Sequence, residues 1–175
     1  MSRASRYLSL LLRHHPERAG LTPDPAGWVP VDDLLAAVGI DRPELESLVR
    51  DDDKQRFQLR GNRIRAAQGH SIDVDLGLEQ REPPETLYHG TYLDVVPSVR
   101  TQGLLPMTRR LVHLSPDAQT ARRVGARRGE PVVLTVAARR AFAEGRPYYR
   151  AANGVWLTDH VPPHLLDHPP RGGRP

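Results

Sequence analysis

Four short stretches place arginine and histidine at the ends of elements, where reactive side chains are usually held. They are Arg13-His14 closing "LLLRHHP", Arg65 followed by "AAQGHS", His89 in "LYHGT", and Arg127 in "VGARRGEP". A guanidinium is a planar fork that stays protonated and grips phosphate through two parallel hydrogen bonds. Imidazole takes and returns a proton near neutrality. Together these groups suit an anion site. Each stretch alone also has a plainer reading. Arg13 and His14 complement the negative end of a helix, worth about 0.3–1 kcal/mol. His89 ends a strand, and Arg127 and Arg128 sit in a solvated last helical turn. Position by itself does not choose between these readings.

The elements that must carry the four stretches follow from periodicity. Ala4, Tyr7, Leu8, Leu11 and Leu12 recur at the spacing of one helical face over residues 4–14, and Pro16 and Gly20 end the run. Val31 to Val38 is a second helix stopped by Gly39. Asp41 caps a third, with Glu44 completing a capping box. Arg56 to Leu59, a Gly61-Asn62 turn and Arg63 to Ala66 form a hairpin. In it Phe57, Leu59 and Ile64 face the helices, while Arg63 and Arg65 share the other face. Three helices and a hairpin make a winged-helix pattern over residues 1–80.

"EPPET" within residues 81–86 reads as a stiff linker. Beyond it, residues 87–166 mix strands and helices: a short strand Leu87 to His89 running into Gly90-Thr91, a helix Val95 to Gln102, and a strand Leu111 to Leu114. A helix follows from the Ser115 N-cap to about Arg128, then strands Pro131 to Val136 and Val155 to Leu157. Residues 167–175 read as a disordered tail. The fold class expected is α+β.

Composition narrows the function classes. The 175 residues include no cysteine, which excludes a disulfide scaffold and thiolate metal sites and fits a reducing cytoplasm. No run approaches a membrane span, and the N-terminus has no secretory h-region. The net charge of +4 is unevenly spread: residues 1–81 carry 12 Lys+Arg against 13 Asp+Glu, and residues 82–175 carry 13 Arg against 8. The histidines are scattered, so no metal site is expected.

Six ordered blocks carry a resemblance to a known family: "SRYLSLLLRHHPERAGLTPDPAGWVPVDDLL", "KQRFQLRGNRIRAAQGHS", "PPETLYHGT", "GLLPMTRRLVHLSPD", "VGARRGEPVVL" and "NGVWLTDHVP". From Ser5 to about Leu166 the chain resembles the RNA 2′-phosphotransferases of the KptA type, also called tRNA 2′-phosphotransferases. The resemblance implies an N-terminal winged-helix RNA lobe and a C-terminal lobe of the ADP-ribosyltransferase type that binds NAD⁺; a monomer is the default expectation. It implies NAD⁺-dependent removal of an internal RNA 2′-phosphate through an ADP-ribosylated RNA intermediate. The products are 2′-OH RNA, nicotinamide and ADP-ribose 1″,2″-cyclic phosphate.

By motif, the essential groups of that family fall on Arg13, His14, Arg65 and Arg127. His89, Gly90 and Thr91 are implied on the adenosine side of NAD⁺, with Gly90 allowing close approach. His113, Ser115 and Asn153 are implied at its nicotinamide ribose. Lys54, Arg63, Gln68, His70 and Ser71 are read as RNA contacts, residues 68–71 alternatively supporting Arg65. Two positions depart from the family pattern: Ala137 stands where an acid is common, and Arg128 where a histidine is.

Three alternatives share these features. One is NAD⁺-dependent capping of terminal nucleic-acid phosphates. Another is protein mono-ADP-ribosylation, disfavoured because Glu130 and Glu144 form no E-x-E or Q-x-E pair and Val155 occupies the expected position. The last is a non-enzymatic winged-helix regulator, disfavoured by Glu44, Glu46 and Asp51 on its third helix.

Overall fold

The leucine stripe near the N-terminus folds as expected into a helix, α1 (Arg3–Arg13), which buries Leu8, Leu11 and Leu12 and ends on Arg13. The computed structural model describes residues 3–167, which separate into two units, residues 3–78 and residues 79–167. In the first unit, α2 (Val31–Val38) stops at Gly39, whose φ of 69° is left-handed. In α3 (Arg42–Arg50) the Asp41 side chain accepts from the Glu44 N–H at 2.8 Å, satisfying one of the free donors of the first turn.

The hairpin is β2 (Phe57–Arg60) and β3 (Arg63–Ala66). A two-residue strand, β1 (Val29–Pro30), pairs with the other side of β3, so the order is β1-β3-β2 with β3 central. Leu59 lies opposite Ile64 on one side of β3, and Val29 lies opposite Ile64 on the other. This row faces the core with Leu11, Leu12, Leu34 and Leu45. β1 is too short for any periodicity to show.

The second unit is built on two small antiparallel sheets. β4 (Thr86–Tyr92) pairs along its whole length with β6 (Pro131–Ala137), and β9 (Leu166–Asp167) joins the far edge of β6. β5 (Val112–Leu114), β7 (Tyr148–Arg150) and β8 (Trp156–Thr158) form the second sheet, in the order β5-β8-β7. A bridge between Tyr88 and Ser115 links the two. Helices α4 (Val96–Gln102), α5 (Ala118–Gly125) and α6 (Ala138–Ala143) complete the unit, α5 lying on β4 and β6. Leu87, Leu114, Leu134, Val136 and Tyr148 centre its core. Mixed helices and small antiparallel sheets make the chain α+β. Among the described residues no helix is long and apolar enough to cross a membrane.

Several expectations are corrected. The strand through His89 continues to Tyr92 instead of giving way at Gly90. α5 starts at Ala118, capped by Asp117, whose carboxylate accepts from the Thr120 N–H at 2.7 Å. Ser115 is no cap because its backbone is committed to Tyr88: N–H to carbonyl 2.7 Å one way and 2.9 Å the other. α5 ends at Gly125, so Arg127 and Arg128 lie in the turn after it. The segment read as a linker is fastened to the second unit. Gln80 bridges Tyr149, the Arg81 N–H donates to the Tyr148 carbonyl at 2.8 Å, and Pro83 is buried. Of the expected tail, Asp167 is in β9 and residues 168–175 lie outside the described residues.

Candidate functional site

Opposed residues on neighbouring antiparallel strands share a face. Arg65 on the central strand therefore shares its face with Gln58, its partner on β2. One step beyond the Val29–Ile64 pair, the β1 register runs to Trp28. The side chains follow this row. Arg65 Nε donates to Gln58 Oε1 at 2.7 Å, Nη1 donates to the Ala26 carbonyl at 2.9 Å, and the guanidinium lies 4.5 Å from the Trp28 ring centroid. Burial and the nearby Arg60 lower its pKa from the ordinary value, opposed by Asp24. Arg65 forms no ion pair of its own. It is a cation held by neutral partners, with Nη2 uncommitted among the described residues.

Asp24 builds the loop that supplies two of those partners. Its Oδ1 accepts from the N–H groups of Ala26 (3.0 Å) and Trp28 (2.8 Å), and Oδ2 accepts from Arg63 Nη2 at 2.7 Å. Burial works to raise the Asp24 pKa, but the Trp28 N–H and Arg63 outweigh it, and the carboxyl lies below its ordinary value of 3.8. A depressed carboxylate contributes stability above its unfolded pKa and loses it as pH falls through the folded one. Stability against urea, measured from pH 7 to pH 3, is therefore expected to fall below about pH 4. In Asp24→Asn that acid-sensitive component is expected to shrink.

Arg13 and His14 come together with the segment after β3. The Ser71 N–H donates to the Arg13 carbonyl at 3.0 Å, and His14 Nδ1 lies 2.9 Å from Ser71 Oγ. Gly69, at φ +90°, brings its backbone against the Arg13 guanidinium, whose Nη1 is 3.6 Å from where a β-carbon would stand. For His14 Nε2 to accept a proton, Nδ1 must carry the hydrogen and donate it to Ser71. Ser71 is thus placed to hold the His14 ring in that tautomer. Ser71→Ala is expected to lower turnover roughly tenfold, the scale of one lost hydrogen bond, with the pH profile of kcat shifted and substrate KM little changed.

The other expected RNA contacts are placed differently. Arg63 is exposed but ion-paired to Asp24. Lys54 lies in the turn before β2, and Gln68 is half-buried just beyond β3. His70 is only 4% exposed, its Nε2 beside Gly27, and so is an interior side chain instead of a surface contact.

In the second unit, His89 on β4 and His113 on β5 meet: His89 Nδ1 donates to the His113 carbonyl at 3.0 Å. Burial lowers the His89 pKa, more than the bond to His113 raises it, and Arg109 lowers it further. A neutral ring whose Nδ1 carries the hydrogen leaves Nε2 as a lone-pair acceptor. Thr91 is buried, and Ser115 is half-buried at the end of β5. Asn153 Oδ1 accepts from the Val155 N–H at 3.4 Å, within the turn between β7 and β8.

Gly90 has a role other than the one expected. A β-carbon there would stand 1.7 Å from the Ala121 carbonyl oxygen, and one on Gly125 would stand 2.2 Å from that of Thr91. The space at Gly90 is filled by the backbone of α5, not kept for a ligand.

Sequence reasoning missed Trp28, Gln58 and Arg109. The hairpin register already puts Gln58 opposite Arg65, so that partner was available from the turn position. Trp28 depended on the unforeseen β1. Arg109 precedes β5 by three residues and lies within electrostatic range of Arg127 and Arg128. Among the described residues no three histidine or acidic side chains are placed to hold a metal ion.

Comparison with known proteins adds a second line of observation. The family model for "RNA 2′-phosphotransferase, Tpt1 / KptA family" matches residues 1–160. A Streptomyces coelicolor protein named "Probable RNA 2′-phosphotransferase" is 53% identical over 172 residues, covering 95% of this chain and 94% of the relative. A protein of the same name from Trichormus variabilis is 49% identical, covering 93% of each. One from Burkholderia pseudomallei is 45% identical, covering 96% of this chain and 95% of its own.

Proposed function

Because the chain belongs to the Tpt1/KptA family of RNA 2′-phosphotransferases, we propose that it removes an internal 2′-phosphate from RNA and passes it to NAD⁺. The first unit is read as a winged-helix lobe that takes the RNA, and the second as an ADP-ribosyltransferase-type lobe that takes the dinucleotide. NAD⁺ supplies the acceptor carbon and a leaving group, nicotinamide. The 2′-phosphate oxygen bonds to the anomeric carbon of the ribose as the nicotinamide bond breaks. The adjacent ribose hydroxyl then bonds to phosphorus. The bond between phosphorus and the RNA 2′-oxygen breaks, and the proton given up by the attacking hydroxyl passes to that oxygen, leaving 2′-OH RNA and the cyclic phosphate of ADP-ribose.

Arg65 is the observation that carries this reading. Its Nε and one Nη1 hydrogen are bound within the fold and Trp28 covers its plane. Nη2 and the second Nη1 hydrogen are left as an end-on fork for phosphate oxygens. Such a pre-set donor stabilises charge that builds on phosphorus in the second step. Arg13 and Arg127 are assigned to the transferring phosphate or the adjoining diphosphate. His14, braced by Ser71, is assigned the proton of the attacking hydroxyl. Neutral His89 suits a ribose hydroxyl as donor to its Nε2.

The test is incubation with NAD⁺ and a short RNA bearing one internal 2′-phosphate. Loss of that phosphate with formation of the cyclic ADP-ribose phosphate is expected. A stable ADP-ribosylated RNA would instead indicate capping chemistry, and ADP-ribose found on protein would overturn the RNA assignment.

A further inference from the structure

The seven-residue strand β4 organises two arginine-bearing segments that the reaction above leaves partly unused. On one side, the chain upstream of Ser115 runs antiparallel to β4 from the Tyr88 bridge. It brings the His113 carbonyl to His89 and leads back to a turn in which the Arg109 N–H donates to the Pro106 carbonyl at 3.1 Å. On the other side, α5 is pressed onto β4 through Gly90 and Gly125. The chain leaves that helix in a turn where the N–H groups of Arg127 and Arg128 donate to Val124 (3.4 Å) and Gly125 (3.2 Å). It returns to β4 where the Leu93 N–H donates to the Glu130 carbonyl at 3.1 Å. One segment is thus tied to β4 through Tyr88 and His89, and the other to Leu93, the residue that follows β4.

Charge on these segments is mostly positive: Arg109, Arg110, Arg127 and Arg128 against Glu130. Arg109, Arg127 and Arg128 form no ion pair with any described residue, and the acids nearest in the chain, Asp94 and Glu130, form none either. Burial, then Arg128, then Arg127 lower the Arg109 pKa, and Arg109 in turn lowers that of His89. These groups therefore feel one another. Like charges gathered without a counter-ion repel, and the fold keeps them gathered. A ligand with two adjacent negative groups relieves that repulsion and meets two or three forks at once. A neutral imidazole acceptor beside such a cluster complements a sugar hydroxyl next to those groups.

We propose that Arg109 and Arg128, together with Arg127, seat the diphosphate of the dinucleotide, so that the second unit grips ADP-ribose chiefly through its phosphates. This rests on reading the second unit as the NAD⁺ lobe. It adds Arg109 to the binding residues and gives Arg128 a specific task.

The experiment is calorimetric titration of the whole protein with adenosine, ADP and ADP-ribose at two salt concentrations, for wild type, Arg109→Gln, Arg128→Gln and Arg109→Lys. Each glutamine variant is expected to weaken ADP and ADP-ribose about tenfold or more, the scale of a lost charge-assisted bond, and to leave adenosine unchanged. Arg109→Lys is expected to recover only part, and wild-type ADP affinity to fall with salt while adenosine affinity does not. KM for NAD⁺ should rise in step, with KM for 2′-phosphorylated RNA unaltered. Equal ADP affinity in wild type and variants overturns the proposal. So does a rise in RNA KM alone, which would give the cluster to the RNA backbone, and so does wild-type protein that binds no ADP-ribose. ADP-ribose binding that depends on these arginines, in protein inert toward 2′-phosphorylated RNA, would support the proposal and sink the reaction assigned above.

Discussion

Arg65→Ala is expected to cut turnover about 10²–10³-fold, the loss seen when a pre-set oxyanion donor is removed, and to leave the fold standing. Fold and activity separate here because adjacent strand residues face opposite ways. Ile64 is fully buried in the core and Arg65 stands on the other face. Removing the side chain exposes Gln58 and the Ala26 carbonyl to water, which hydrates both, so no buried polar atom is orphaned. Arg65→Lys keeps a charge but not the geometry. One ammonium on a flexible stem does not reproduce bonds to Gln58 and Ala26 together with a two-pronged grip on phosphate. Partial recovery, well short of wild type, is the expected outcome. Single-turnover rates at saturating NAD⁺, beside a urea midpoint for each variant, make the measurement. An alanine variant that turns over at the wild-type rate would remove Arg65 from the site.

Gly90→Ala is expected to destabilise the second unit by about 3 kcal/mol or more, toward the upper end for overpacking. A β-carbon at 1.7 Å from the Ala121 oxygen meets backbone, not a side chain that swings aside. Helix α5 would have to lift from β4, and Gly125 would lose its seat against Thr91. Gly125→Ala, with its β-carbon 2.2 Å from the Thr91 oxygen, is expected to act in the same direction. The informative measurement is thermal or urea unfolding with no ligand present. If Gly90 served only to admit a dinucleotide, the alanine variant would unfold at the wild-type midpoint and lose only NAD⁺ binding. A large drop in the midpoint without ligand identifies the glycine as a helix-to-strand contact.

Much of the first unit could be read before it was seen, because its signals are local. The α1 stripe, the Asp41–Glu44 cap and the alternation around Ile64 each lie within a few residues. From them come the helix ending at Arg13 and the face that carries Arg65. What escaped depends on partners distant in the chain. β1 exists only because Val29 finds Ile64. Ser115 fits every local rule for a helix cap, and loses that role because Tyr88, 27 residues earlier, takes both its backbone groups. Gly90 sits in a motif that invites a ligand reading, and only the approach of α5 shows what fills the gap. Arg109 has no distinguishing neighbour in the sequence; its company becomes visible once β4 draws the β5 approach and the post-α5 turn together.

The row of Trp28, Arg65 and Gln58 has a consequence for the fidelity of folding. In a strand of alternating faces, slippage by a single residue would turn Arg65 inward and Ile64 outward. The apolar interior therefore rejects every pairing in which the guanidinium is misdirected. A molecule that has completed its hairpin has, by the same act, aimed the guanidinium proposed to grip phosphate.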